Sequence, residues 1–179
     1  MKNYEYSEDI QEVNTNKIIL AELKKCLDKA IHELYLKDSS LILRRPERMI
    51  STDDIHVCER SVVFRFGIYL QNQLNKNKLL RGYDLDNEYN RNIYEPKRLP
   101  GWANGCYPDL IIHKRMHNTD NLLVIEIKAW WSDERIIEQD RIKIYEFVQS
   151  DEYRYRFGLL LIFEREQARL EWVESQKIF

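Results

Sequence analysis

Cysteine, histidine, proline and glycine are all scarce in this chain, at 3, 4, 4 and 5 among 179 residues. Cys26, Cys58 and Cys106 are odd in number, widely spaced and free of any Cys-x-x-Cys pattern. That argues against a disulfide scaffold or a thiolate zinc knot, and the expectation is reduced thiols in a cytoplasmic protein. No apolar run approaches the roughly 20 residues of a membrane span. The opening MKNYEYSEDIQEV is polar and acidic rather than signal-like, so no membrane association is expected. With no Pro/Gly/Ser-rich linker and no internal repeat, the length suits one domain with a substantial core. An excess of one charge sign is missing too. The formal net charge of −2 does not advertise a nucleic-acid partner, although a local basic cleft would outweigh the total.

What is present is an ordinary globular composition, 44% hydrophobic and 32% charged, in alternating helical and strand patterns. Residues 1–15 look loosely structured. From Asn16 to about Leu36, Ile19, Leu20, Leu23, Leu27, Ile31 and Leu34 recur at helical spacing. Pro46 breaks the pattern, and a second helix is expected from about Asp54 to Leu74, with Val62, Val63, Phe66, Tyr69 and Leu70 on its apolar face. LLRGYDLDNEYN, YPDLIIH and NLLVIEIKAWW then read as strands, with HKRMHNTDN as a hairpin connection between the last two. Residues 133–149 return to helical periodicity through Ile136, Ile137, Ile144, Phe147 and Val148, RFGLLLIF suits a strand covered on both faces, and QARLEWVE suits a final strand. The order α, α, β, β, β, α, β, β implies a helix-flanked mixed sheet.

Charges inside the strand-like runs carry the chemistry. About two [DE]-x-K triplets are expected by chance in this length. Three occur: Glu22-x-Lys24 on a charged helix, Glu95-x-Lys97 beside Pro96, and Glu126-x-Lys128 directly after Leu122, Leu123, Val124 and Ile125. Side chains alternate along a strand, so Glu126 and Lys128 share a face, and an antiparallel YPDLIIH brings Asp109 toward them. On the second helix Val62, Val63 and Phe66 follow Glu59 by three, four and seven residues, turning its carboxylate inward. Asp140 shares a helical face with Ile136, Ile137, Ile144 and Phe147. Glu59, Asp109 and Glu126 against Lys128 leave a net negative cluster, which raises carboxylate pKa values or recruits a divalent cation. All-oxygen donors fit Mg²⁺ or Mn²⁺ rather than Zn²⁺. His113 and His117 have zinc-like i, i+4 spacing but fall in a strand end and turn, so zinc is not expected there.

Tyr107-Pro108-Asp109, a hairpin, then Ile125-Glu126-Ile127-Lys128 resembles the PD-(D/E)XK nuclease superfamily. The helix bearing Glu59 and the helix–strand pair over residues 133–163 match that family's core order, so the resemblance spans roughly 54–165. It implies an α/β restriction-endonuclease-like core over 54–179, a mixed central sheet flanked by helices, with residues 1–53 as an N-terminal helical extension packed on it. It further implies a Mg²⁺-dependent nuclease, with Mn²⁺ able to substitute, that hydrolyses phosphodiester bonds by a metal-activated water. Asp109, Glu126 and the Ile127 carbonyl would ligate the ion and Glu59 would be the acidic residue some members add. Lys128 would position the water or stabilise phosphate charge. Endonuclease action on DNA, favoured over RNA, is the expected activity, and a two-strand cutter would need two sites, hence a homodimer.

Some members carry Gln-x-x-x-Tyr on the next helix. Here Gln139 is followed four residues later by Lys143, with Tyr145 out of phase. Asp140 and Lys143, at i and i+3, are candidates for structural pairing or for assisting the site. Candidate nucleic-acid contacts are Lys97 and Arg98, with Trp130 and Trp131 just beyond Lys128, of which at least one is expected to pack in the core. Further basic residues that could line a phosphate groove are Arg44, Arg45, Arg48, Lys76, Lys78 and Arg81. Trp102, in the loop PGWANGCYPD, is a candidate to fold over the site. The alternative function is a non-catalytic domain that keeps the nuclease fold and binds nucleic acid or protein.

Overall fold

A computed structural model describes residues 2–43, 57–102 and 105–175, with side chains from residue 13 onward. Helix α1 spans Lys2–Lys37 and turns Leu23, Leu27, Ala30 and Leu34 into the interior at spacings of three and four. The helix includes residues 2–15, so the expectation of a loose start there is corrected: helical hydrogen bonding continues past the last inward leucine. Ser39–Leu41 form one 3₁₀ turn. Helix α2, Glu59–Lys76, opens with an acidic residue, as the positive end of a helix favours. The earlier start expected from Asp54 falls partly outside the described residues.

Strands follow in the order β1 (Asp84–Asn87), β2 (Arg91–Asn92), β3 (Glu95–Pro96), β4 (Leu110–His113) and β5 (Leu123–Ala129). Helix α3 (Glu134–Gln149), β6 (Phe157–Phe163) and β7 (Ala168–Glu174) follow. β2 and β3 form a minimal ladder of their own. The main sheet has five strands in the order β1-β4-β5-β6-β7. Only β5 and β6 run parallel, and α3 supplies the crossover that a parallel pair requires. Asp133 caps α3 by accepting from the Arg135 N–H at 2.8 Å.

Two cores flank the sheet. Ile125, Ile127, Leu159 and Leu161 pack with α1 and α2, whereas Val124, Leu160 and Ile162 pack with α3. Gly158 permits the second contact, because a Cβ there would meet Ile144 Cγ2 at 2.3 Å. Helix α3 thus lies directly on the β6 backbone. Ile136, read above as part of the α3 core face, is 50% exposed, while Ile137, Ile144, Phe147 and Val148 are buried. Ile136 shares the helical arc of Asp140 and Phe147 but lies in the first turn of α3, where it stays exposed. Among the described residues no helix is long and apolar enough to cross a membrane.

Candidate active site

Register places the first two acids. Leu110 of β4 pairs with Ile125 of β5 in the antiparallel ladder, so Asp109, one residue earlier, lies beside Glu126. Ile111 and Val124 belong to the α3-side core, and the period of two puts Asp109, Glu126 and Lys128 on that same face. Asp109 Oδ2 accepts from the Ile127 N–H at 2.7 Å, which ties the end of β4 to β5. Helix α3 brings Asp140 and Lys143 onto this face, one turn apart. Glu59, at the start of α2 in the opposite layer, reaches Lys128 around the end of the sheet.

The resulting network alternates in sign. Lys128 Nζ donates to Glu59 Oε1 at 2.7 Å and to its neighbour's Ile127 carbonyl at 3.0 Å. It also stands 3.0 Å from Asp140 Oδ2, an ion pair without hydrogen-bond alignment. Lys143 Nζ lies 2.8 Å from Glu126 Oε2 and 3.2 Å from Asp140 Oδ1. Asp140 therefore bridges the two ammoniums. Ser132 donates to Glu59 Oε2 at 3.1 Å while accepting from the Ala129 N–H at 3.2 Å. The Trp102 ring lies 5.5 Å from Lys143 Nζ, so this part of the 99–106 loop does border the cluster.

Four carboxylates face two ammoniums, a formal excess of two negative charges. Glu126 is 1% exposed. Burial first, and then the Asp109 charge, push its pKa well above the usual carboxylate range, against the pull of Lys143. Asp109 is raised as well, chiefly by burial, with Lys128 and the Ile127 N–H opposing. Burial works against the Lys128 ammonium, but Asp140, Asp109 and Glu59 more than offset it and hold its pKa above the normal value. Lys143 is held up similarly by Glu126 and Asp140.

Among the described residues no three acidic, His or Cys side chains converge as a ready set of metal ligands, because each inward carboxylate is drawn toward a lysine or a backbone N–H. The donor chemistry nonetheless fits a hard divalent cation. Glu126 Oε1 is buried without any hydrogen-bond partner, Asp109 adjoins it across the β4–β5 register, the Ile127 carbonyl follows on the same strand and accepts from Lys128, and every donor is oxygen.

The other sequence candidates divide sharply. Lys97 is 2% exposed; its Nζ donates to the Tyr155 hydroxyl at 2.9 Å and lies 5.1 Å from the Tyr89 ring. Its reading as a phosphate contact is therefore corrected: the amine is sealed under aromatic rings. Arg98 is exposed, and its backbone N–H and carbonyl both bond the Tyr153 hydroxyl. Trp130 is a packing residue, with Nε1 donating to the Ile42 carbonyl at 2.9 Å and the Arg165 guanidinium 4.0 Å above its ring. Trp131 is half-buried against it, edge to face. Lys76, Lys78 and Arg81 are exposed at and beyond the end of α2, while Arg44, Arg45 and Arg48 lie outside the described residues. His113 bonds Asp86 and His117 bonds Thr119. Gln139 and Tyr145 point outward. Ser132 was not singled out from sequence; its only signal is a small hydroxyl just before the α3 cap.

Comparisons with protein-family models, with curated proteins and with solved structures find no match to this chain.

Proposed function

We propose that this protein is a Mg²⁺-dependent nuclease on a restriction-endonuclease-like core, hydrolysing phosphodiester bonds in nucleic acid, DNA in preference to RNA. The observation that carries the reading is the buried, half-unpartnered Glu126 beside Asp109, with Lys128 two residues on along the same strand face. Asp109, Glu126 and the Ile127 carbonyl would hold the ion, with Glu59 the further acid available at the rim. When bound, the ion supplies Lewis-acid charge at the phosphoryl oxygens and lowers the pKa of water.

Lys128 has a different task. Its raised pKa keeps it protonated at neutral pH, so it acts as a fixed cation and hydrogen-bond donor toward phosphate rather than as a base. Glu59 and Asp140 fix its position, and Ser132 fixes Glu59. Cys106 is no rival nucleophile, since burial pushes its thiol up to about 12. Hydrolysis then runs without a covalent enzyme intermediate.

One observation favours a second reading, an inert binding domain of the same fold: both lysines are already saturated by carboxylates. Cleavage of supercoiled plasmid and of RNA, measured with and without Mg²⁺, separates the two. Asp109→Ala and Glu126→Ala are expected to abolish metal-dependent cleavage while leaving circular dichroism unchanged. Metal-dependent cleavage retained by both variants overturns the nuclease reading. A melting temperature raised by Mg²⁺ with no cleavage of either nucleic acid selects the binding domain.

A further inference from the structure

Glu126 lies under α3 with almost no contact with water, and an ionised carboxylate in that position needs a positive charge close by. The lysine of the Glu-x-Lys triplet does not provide it, because Lys128 is engaged by Glu59 at 2.7 Å and Asp140 at 3.0 Å. The charge comes from a different element. Lys143 of α3 reaches down to Glu126 Oε2 at 2.8 Å and leaves Oε1 buried without a partner. Lys143 has other supports besides Glu126: Asp140 Oδ1 at 3.2 Å and the Trp102 ring at 5.5 Å. It is therefore placed both to contact the buried candidate ligand Glu126 and to keep partners if that ligand is taken.

Resting on the metal-dependent reading above, we infer that Lys143 is a built-in counter-ion that competes with the divalent cation for Glu126. Before an ion binds, the lysine holds Glu126 Oε2 and keeps the strand–helix contact closed. A dication and an ammonium on one carboxylate repel each other, so each weakens the other's hold. Metal affinity is set by that exchange, below what the same oxygens would give alone.

The test uses the full chain without nucleic acid and Mn²⁺ as the probe, with binding read from the loss of the free-ion electron paramagnetic resonance signal. Lys143→Met is expected to lower the Mn²⁺ Kd by about tenfold or more, the scale of removing one nearby like charge. Lys143→Arg keeps the charge and stays near the wild-type Kd, and Glu126→Gln removes binding in either background. A Lys143→Met protein that folds only when Mn²⁺ is present, by circular dichroism, supports the exchange equally. A folded Lys143→Met that binds Mn²⁺ no better than a wild type that does bind overturns the competition and leaves the metal reading standing. A Lys143→Met protein unfolded with and without Mn²⁺ also overturns it, because the ion then does not replace the lysine. If wild type and a folded Lys143→Met both ignore Mn²⁺, both readings fall.

Discussion

Two regions of this molecule bury lysines, and they treat them in opposite ways. Lys128 and Lys143 lie between the sheet and the helix ends, each touching two carboxylates, and both ammoniums are held above their normal pKa. Lys97 sits elsewhere beside the α3-side core, under Tyr89 and Tyr155, where its hydrogen-bond partner is a neutral hydroxyl, and burial pulls its pKa down to about 7. All three are less than a tenth exposed. Burial alone therefore does not determine what a lysine does; the charge opposite it does. The compensated pair is held cationic by the carboxylates around it, whereas Lys97 is a polar spacer in an aromatic core.

The largest effect separating the regions is expected from Lys128→Met. It leaves Glu59 and Asp140 without their shared cation, and breaking a buried pair from one side costs about 3–5 kcal/mol, to be read from urea unfolding. Cleavage should fall as well, by about 10²–10³-fold. A variant as stable as wild type would show that the network is wetter than its geometry indicates.

Lys97 predicts the opposite sign. The unfolded chain keeps this proton up to 10.5, whereas the folded protein releases it near 7. The unfolded state therefore binds more protons across that window, and stability rises with pH. The slope from this group approaches about 1.4 kcal/mol per pH unit at most. Lys97→Met should raise stability at pH 7 and remove most of this rise, about 2 kcal/mol between pH 7 and 9. Parallel pH profiles for wild type and variant would erase the contrast. The smallest effect belongs to Tyr155→Phe, which deletes the hydroxyl that accepts from Lys97 and should cost about 1 kcal/mol, the net worth of one hydrogen bond. Calorimetry that detects no loss would show that the aromatic faces suffice.

The contrast also marks how far reading the chain could go. Helices α2 and α3, strands β4 to β7 and the hairpin between β4 and β5 were legible because their apolar periods are local. The N-terminal part of α1 was not, since few apolar residues mark a face there. Glu59 and Asp140 were recognised as inward acids from their spacing to Val62, Val63, Ile137 and Ile144. Lys97 misled because Glu95-Pro96-Lys97 is locally a polar loop, and the rings that cover it come from Tyr89, on the far side of the β2–β3 ladder, and from Tyr155, 58 positions later. Trp130 looked like a candidate base-stacking surface, but its indole N–H is bound by a carbonyl 88 residues away in the chain.

What the sequence determined by itself was orientation along single elements: Glu126 and Lys128 on one strand face, Asp140 and Lys143 one turn apart on a helix. These follow from the fixed periods of extended and helical backbone. What the tertiary structure decided was pairing, namely that Glu126 takes its cation from α3, that Lys128 is clamped from both layers, and that the Lys97 amine meets a tyrosine hydroxyl and aromatic rings. Charge compensation depends on distances across the packed core, and chain order does not carry those distances.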